Sequence, residues 1–470
     1  MKLIYGIKDR PKFGQVIIFA IQQLLAIMAA TLVVPVIINT SGSMPEGAPA
    51  MSSAAALFGA GIGTLVYLLF TRFKSPVFLG SSFAFIGSMC SAFAGAISAQ
   101  AGYLGLIIGA VCAGLVYVVI ALIVKFAGVK WISKLMPAVV IGPTEAIIGL
   151  SLAGNAIGDL QTAPAGGSSY VAILCGLVTL AVTMLCATFG KKMIRLIPFI
   201  MGILAGYALA AIFTLIGNAA GIDALKVINF APLTNLFTDF SIKSIVSVPD
   251  FTFVEALKGI KDIDAAYIGT VAVAYAPVAF VVFAEHIADH KNLSTIIESD
   301  LLEEPGLHNT LLGDGVGSMA GAFFGGCPNT TYGESVGCVA ITGNASVITI
   351  LTTAVMAIVI SFLSPFVAFV NTIPSCVMGG VCMALYGFIA VSGLKMIQKV
   401  DLEQNRNLFV VSVILITGIG GLSVSFGKVT LTTIACALIL GILANVMLGV
   451  KDKKAAEEQA PESEDNTYEL

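Results

Sequence analysis

Apolar stretches long enough to cross a bilayer follow one another along almost the whole chain, and they leave few folds open to it. A helix spanning the hydrocarbon core needs roughly 20 predominantly apolar residues. Runs of that kind fall at 15–38, 51–71, 103–124, 136–153, 169–189, 196–217, 266–288, 345–370, 376–394, 408–424 and 429–449. Two more, 76–98 and 326–342, are interrupted by Gly, Ser, Thr and Pro, and a short glycine-rich stretch, 311–325, completes the set. Together they predict an all-α polytopic membrane protein with fourteen crossings, numbered here as segments 1 to 14. Only 11% of the residues are charged, against roughly 25% in a soluble domain, so most of the surface faces the lipid bilayer. A net charge of -3 offers no basic field for nucleic acid. The basic N-terminus leads into a first run too long for a signal peptide, so that run is expected to stay as segment 1. The nine cysteines form no CxxC pair and read as small packing residues.

Charge placement supports the count. Lys and Arg collect on the cytoplasmic side of membrane proteins. With both termini inside, nineteen of the 24 basic residues fall on cytoplasmic segments. Four of the other five lie in one long external segment, 218–264, which reads as a cap or surface helices. The stretch 451–470 is charged and reads as a disordered cytoplasmic tail.

Seven crossings followed by seven more run in opposite orientation, and the halves correspond. Ser81-Ser82-Phe83-Ala84-Phe85 of segment 3 matches Thr330-Thr331-Tyr332-Gly333-Glu334 of segment 10 in its order of hydroxyl, hydroxyl, aromatic and small residue. In the fifth crossing of each half, Pro137 precedes Gly142 as Pro374 precedes Gly379. Broken helices at matching places in inverted repeats mark a transporter's binding site.

Charge at membrane depth is costly, so intramembrane acids are candidates for function. Glu285 ends an apolar run, Glu334 sits in broken segment 10, and Glu145 lies within segment 5. Asp289 is four residues after Glu285, on the same helix face, and is its natural partner or relay. The ligand such groups suit is a flat neutral ring with N–H donors and carbonyl acceptors. Carboxylates accept from its N–H groups, and free backbone amides at half-helix starts, near Phe83 and Tyr332, donate to its carbonyls. Desolvation favours the protonated form of a carboxylate, so the same groups can carry a proton down the membrane potential. Ser82 and Thr331 complete the candidate contacts. Glu145 is equally suited to a water path or a subunit contact. His286 is balanced between a site role and a structural one. His290 is expected to mark the cytoplasmic end of its helix, His308 to lie on a surface loop, and Gln23 to bond between helices or to reach the site.

The strings Ala284-Glu285-His286-Ile287-Ala288-Asp289-His290-Lys291, Pro305-Gly306-Leu307-His308 and Gly325-Gly326-Cys327-Pro328-Asn329-Thr330-Thr331-Tyr332-Gly333-Glu334 resemble the nucleobase–ascorbate transporter family, in its uracil permease branch. Gly80 to Phe85 and Ala30 to Val36 extend the likeness, which covers roughly residues 10–450. The resemblance implies short strands in segments 3 and 10 and a core domain of segments 1–4 and 8–11 (1–127 and 265–370). It implies a gate domain of segments 5–7 and 12–14 (128–217 and 371–450). By similarity Glu285 and Glu334 contact the base, while the backbone at Phe83 and Gly333 and the side chain of Tyr332 shape the site. Core would rock against gate in the cell membrane, often in homodimers built through gate helices. The chain departs from that branch at Gln23 and Asp289, where some uracil permeases carry His. It also departs at Ser335, where Asn is common, and at Gly343, where relatives often carry Arg. Because Gln23 carries no proton, the proton route must rely on the carboxylates.

The expected function is therefore proton symport of uracil, with a xanthine or purine symporter and an anion exchanger of similar architecture as alternatives. No nucleophile–base pair, metal cluster or phosphate loop is discernible, so neither enzyme chemistry nor a cofactor is expected. Gly313-Asp314-Gly315-Val316-Gly317 reads as close helix packing.

Overall fold

A computed structural model describes residues 3–128, 137–163, 165–191, 193–238, 241–426 and 429–458. The fourteen segments form two inverted repeats of seven. Eight of the described helices are long and apolar enough to cross a membrane. They are segment 1 (Phe13–Thr40), 2 (Ser53–Phe70), 4 (Ala99–Ala127), 5 (Ala138–Gln161), 6 (Ser169–Phe189), 7 (Pro198–Ala220), 8 (Ala265–Ile297) and 12 (Ser375–Ile397). The rest are shorter: segment 9 is Leu307–Gly325, 11 is Val347–Ser361 followed by Ser364–Thr372, 13 is Asn405–Ile419 and 14 is Thr433–Glu458.

Segments 3 and 10 are broken at corresponding places. Each enters as a three-residue strand, β1 (Leu79–Ser81) and β2 (Asn329–Thr331), and leaves as a half-helix, Ile86–Ala94 after a 3-10 turn at Phe83–Phe85, and Gly333–Thr342. The strands pair antiparallel, Leu79 with Thr331, Gly80 with Thr330 and Ser81 with Asn329. Backbone bonds from Ser82 N to Pro328 O (2.9 Å) and from Tyr332 N to Phe78 O (3.3 Å) extend the pair at both ends. So short a ribbon stands only because it is walled in. Thr64 of segment 2 accepts from Leu79 N at 2.9 Å, and Asn329 Nδ2 donates to Gly59 O at 3.0 Å. Gly80 is required by the ring of Tyr332, because a Cβ there would lie 2.3 Å from Tyr332 Cζ.

Packing sorts the segments into two groups. Segment 2 lies along 9 and 11, segment 4 along 8 and 9, and segment 1 against 11. Segment 12 lies along 5 and 6, segment 7 on 6, and segment 13 on 5 and 14. Small residues set the closest approaches, as they do wherever helices meet in lipid. On the seam between segments 2 and 9, a Cβ on Gly59 would fall 2.5 Å from Gly321 O. Gly59→Ala is therefore expected to force the helices apart and cost about 1–3 kcal/mol. A drop in the melting temperature of the purified protein checks this, and an unchanged melting temperature would show that the seam yields freely.

Several boundaries differ from the sequence reading. Segment 8 does not end near 288 but continues to Ile297, so His290 lies inside a helix and is wholly buried rather than marking its end. His308 opens the segment 9 helix instead of lying in a loop. The run 345–370 breaks at Phe362 and Leu363, where Pro365 starts a new helix. The expected end of segment 13 and start of segment 14 carry two strands that pair antiparallel, β3 (Val424–Phe426) with β4 (Val429–Leu431). The last helix continues to Glu458, into the stretch expected to be disordered. Lys, Ala and Glu there are strong helix formers. Residues 459–470 of that expected tail lie outside the described residues. The segment 218–264 holds two short helices, Ala231–Thr238 and Thr252–Lys258. Its Phe253 stacks on Phe323 of segment 9 with ring centroids 4.9 Å apart.

Candidate functional site

The two half-helices start where the strands stop, and that geometry builds the site. Ser82 and Tyr332 occupy the N-cap positions of the two broken segments. The first amides of each half-helix lack helical acceptors, so both breaks present donors. Tyr332 is fixed: its hydroxyl donates to Ser81 O at 2.7 Å.

Around these breaks lies a cavity of about 580 Å³. One wall is made of Ser82, Phe83 and Ala84 from segment 3, Glu285, Ala288 and Asp289 from segment 8, and Thr330 to Glu334 from segment 10. The opposite wall comes from Glu145 and Ile148 of segment 5, Phe199 of segment 7 and Leu385, Phe388, Ile389 and Ser392 of segment 12. Lys395, Met396 and Lys399, at and just past the C-terminal end of the segment 12 helix, line it as well. Glu285, Asp289, Glu334 and Glu145 are all half-buried, and Gly333 is exposed. Thr331 Oγ1 donates to Asp289 Oδ2 at 2.9 Å, orienting that carboxylate. The hydroxyls of Ser82 and Thr330 have no partner among the described residues. The wall thus offers four carboxylates as acceptors and backbone donors, with aromatic surface from Phe83, Phe199 and Phe388. Phe199 and Phe388 meet edge to face, 6.0 Å between centroids. Such a cavity suits a flat ring with N–H and carbonyl edges.

Glu285, Glu334, Asp289, Phe83, Tyr332, Gly333, Ser82, Thr331 and Glu145 therefore share one hollow. Gln23 and His286 do not line it. Gln23 is buried, and its Nε2 donates to Ser335 Oγ, which in turn accepts from Phe78 N at 3.2 Å. It braces the strand crossing from behind. His286 has its Nδ1 2.8 Å from Asp314 Oδ2 and its Nε2 3.0 Å from Thr310 Oγ1. Its ring stacks on His290 at 4.0 Å between centroids. His290 Nδ1 donates to His286 O at 2.8 Å, and its Nε2 lies 2.7 Å from the Tyr67 hydroxyl. Sequence reasoning missed Asp314, although an acid inside a membrane segment is a signal in itself. It also missed the wall of Phe199, Phe388, Ser392 and Lys395, for which no local signal existed.

A model of the permease family matches residues 14–426. The uracil permease of Bacillus caldolyticus is 37% identical over 450 residues, 95% of each chain. That of Bacillus subtilis is 37% identical over 471 residues, 98% of each. The uracil permease of Escherichia coli K12 is 33% identical over 464 residues, covering 98% of this chain and 97% of that one. Among solved structures, the transmembrane domain of the cyanobacterial bicarbonate transporter BicA superposes with a TM-score of 0.56 at 16% identity, covering 94% of this chain and 99% of that one. The inward-facing murine anion transporter Slc26a9 gives 0.60 at 12% identity, covering 95% and 69%. At these identities the two structures speak for the fold alone.

Proposed function

The chain belongs to the permease family, and from that premise we propose that it is a proton-coupled symporter importing a nucleobase, uracil first among them. The observation that carries this reading is the convergence of Glu285, Asp289 and Glu334 on one cavity floored by the paired breaks of segments 3 and 10. Glu285 and Glu334 accept from the ring N–H groups. The amides that open the two half-helices donate to its carbonyls, and Phe83 covers a ring face. The named activity of the relatives agrees with this.

Coupling uses the same acids. Each binds a proton on the outer side and loses it on the inner side. A proton moving down the potential gains about 2.3 kcal/mol per 100 mV, enough to concentrate a neutral solute. The two packing groups support a reading of alternating access in which segments 1–4 and 8–11 act as the core, and 5–7 with 12–14 act as the gate. Lys395 and Lys399 mark the cytoplasmic mouth under the charge rule, so the cavity is the inward-open one, within a cell membrane and with cytoplasmic termini.

A volume of about 580 Å³ also admits a bicyclic ring, which keeps a xanthine or purine substrate as the second reading. Four carboxylates in the wall disfavour an anionic solute. Labelled uracil uptake into vesicles, with and without an imposed inward proton gradient, is the test. Gradient-driven accumulation, competed by uracil more strongly than by xanthine, is expected. Uptake indifferent to the gradient would remove the coupling, and stronger competition by xanthine would change the substrate.

A further inference from the structure

Segment 5 contributes an acid to which the transport cycle above assigns no task. Glu145 lines the cavity from the wall opposite Glu285, Asp289 and Glu334. Ser392 of segment 12 lines the same cavity, and Glu145 forms no ion pair among the described residues.

Packing holds it there. A Cβ on Gly393 would lie 2.3 Å from Ala146 N, and one on Gly149 would lie 2.3 Å from Tyr386 O. Segments 5 and 12 therefore touch backbone to backbone and are built to move as one body. Ser392 is next to Gly393 and Glu145 next to Ala146, so the seam places both residues on the wall of the cavity. The charged groups that face Glu145 are Glu285 and Asp289 from segment 8, Glu334 from segment 10, and Lys395 and Lys399 from segment 12. It thus stands between the acids of one body and the basic mouth of the other.

We propose that Glu145 is the proton-release group of the cycle, taking the proton from the acids of segments 8 and 10 once the base has left and passing it to water at the Lys395–Lys399 mouth. The proposal rests on the symport reading above. In the transfer, a protonated core carboxyl becomes a carboxylate as the Glu145 carboxylate becomes an acid. Glu145 then gives the proton to water or buffer and is restored. Like charges sharing a cavity resist ionising together, so an acceptor on the opposite body, whose separation from the core acids changes as the bodies rock, lets them discharge in turn.

The test uses the full chain in proteoliposomes and compares wild type with Glu145→Gln. Two rates are read: uracil–uracil exchange at equal pH, which needs no net proton movement, and net uptake under an inward proton gradient. The ratio of net uptake to exchange is expected to fall at least about tenfold, as when a positioned proton-transfer group is lost. Imidazole buffer trapped inside is expected to restore it. A ratio equal to wild type, or a change in the ranking of competing bases with no change in the ratio, would overturn the proposal while leaving symport intact. A wild type that exchanges no base would bring down both. Should Glu145→Gln unfold, Ser392→Ala decides: an altered dependence of the ratio on internal pH supports the proposal, and an unaltered one overturns it.

Discussion

Glu285→Gln and Glu334→Gln are each expected to reduce proton-driven accumulation of labelled uracil to background. The amide keeps the shape of the side chain but can neither carry a proton nor accept with charge-assisted strength. Hydrogen bonds to charged groups contribute about 1.5–3 kcal/mol, so binding alone weakens by about tenfold to a hundredfold or more. Loss of coupling comes on top of that. Both residues line one cavity beside Phe83 and Gly333, so neither loss should be compensated by the other. Equilibrium binding separates the two contributions: weakened affinity reports the ring contact, and a flattened pH dependence of uptake reports the proton. Normal accumulation by both variants would remove these acids from the mechanism.

The second large effect is on stability. Asp314→Ala should destabilise the purified protein by about 1–3 kcal/mol, the usual cost of leaving a buried polar group without its partner. Asp314 is 1% exposed and His286 is fully buried, and the ring nitrogen sits 2.8 Å from the carboxylate. With the acid gone, nothing of comparable strength replaces it behind segment 8. His286 also stacks on His290, which reaches Tyr67, so the damage should spread to segment 2. Paired with His286→Ala, the double variant is expected to lose much less than the sum of the singles. Simple additivity in thermal melts would show that the two side chains do not depend on each other.

The number of crossings, their inverted order and the two broken segments were legible in the sequence because they follow from local hydropathy and from Gly, Ser, Thr and Pro placement. The acids were legible too, since charge at membrane depth announces itself. Pro137 and Pro374 were read as a matching pair, and each precedes the helix of its fifth crossing. Direction was harder to read. Gln23 sits in a helix apolar all round, so no amphipathic pattern says which face it presents, and only its bond to Ser335, 312 residues away, settles its place. The expectation for His290 failed because the helix continues for seven residues beyond it. The wall of Phe199, Phe388 and Ser392 depends on how segments 5, 7 and 12 face segments 3 and 10, a long-range arrangement with no local imprint. Asp314 was passed over because its glycine neighbours gave a sufficient reading of the stretch as packing. That reading holds for Gly315 and Gly317, and the acid among them needed separate thought.

The antiparallel ribbon of β1 and β2 has a bearing on how the polypeptide is made. Leu79 leaves the ribosome about 250 residues before Thr331, the partner that closes its ladder. At roughly 5–20 residues per second, that interval lasts on the order of ten seconds or more. Until then the first strand's amides have only Thr64 for company, within a lipid environment that supplies no water to satisfy them. A nascent N-terminal half should therefore stay incomplete or be shielded by the insertion machinery, and a chain truncated before residue 329 is expected to be degraded rather than to accumulate as a half-transporter.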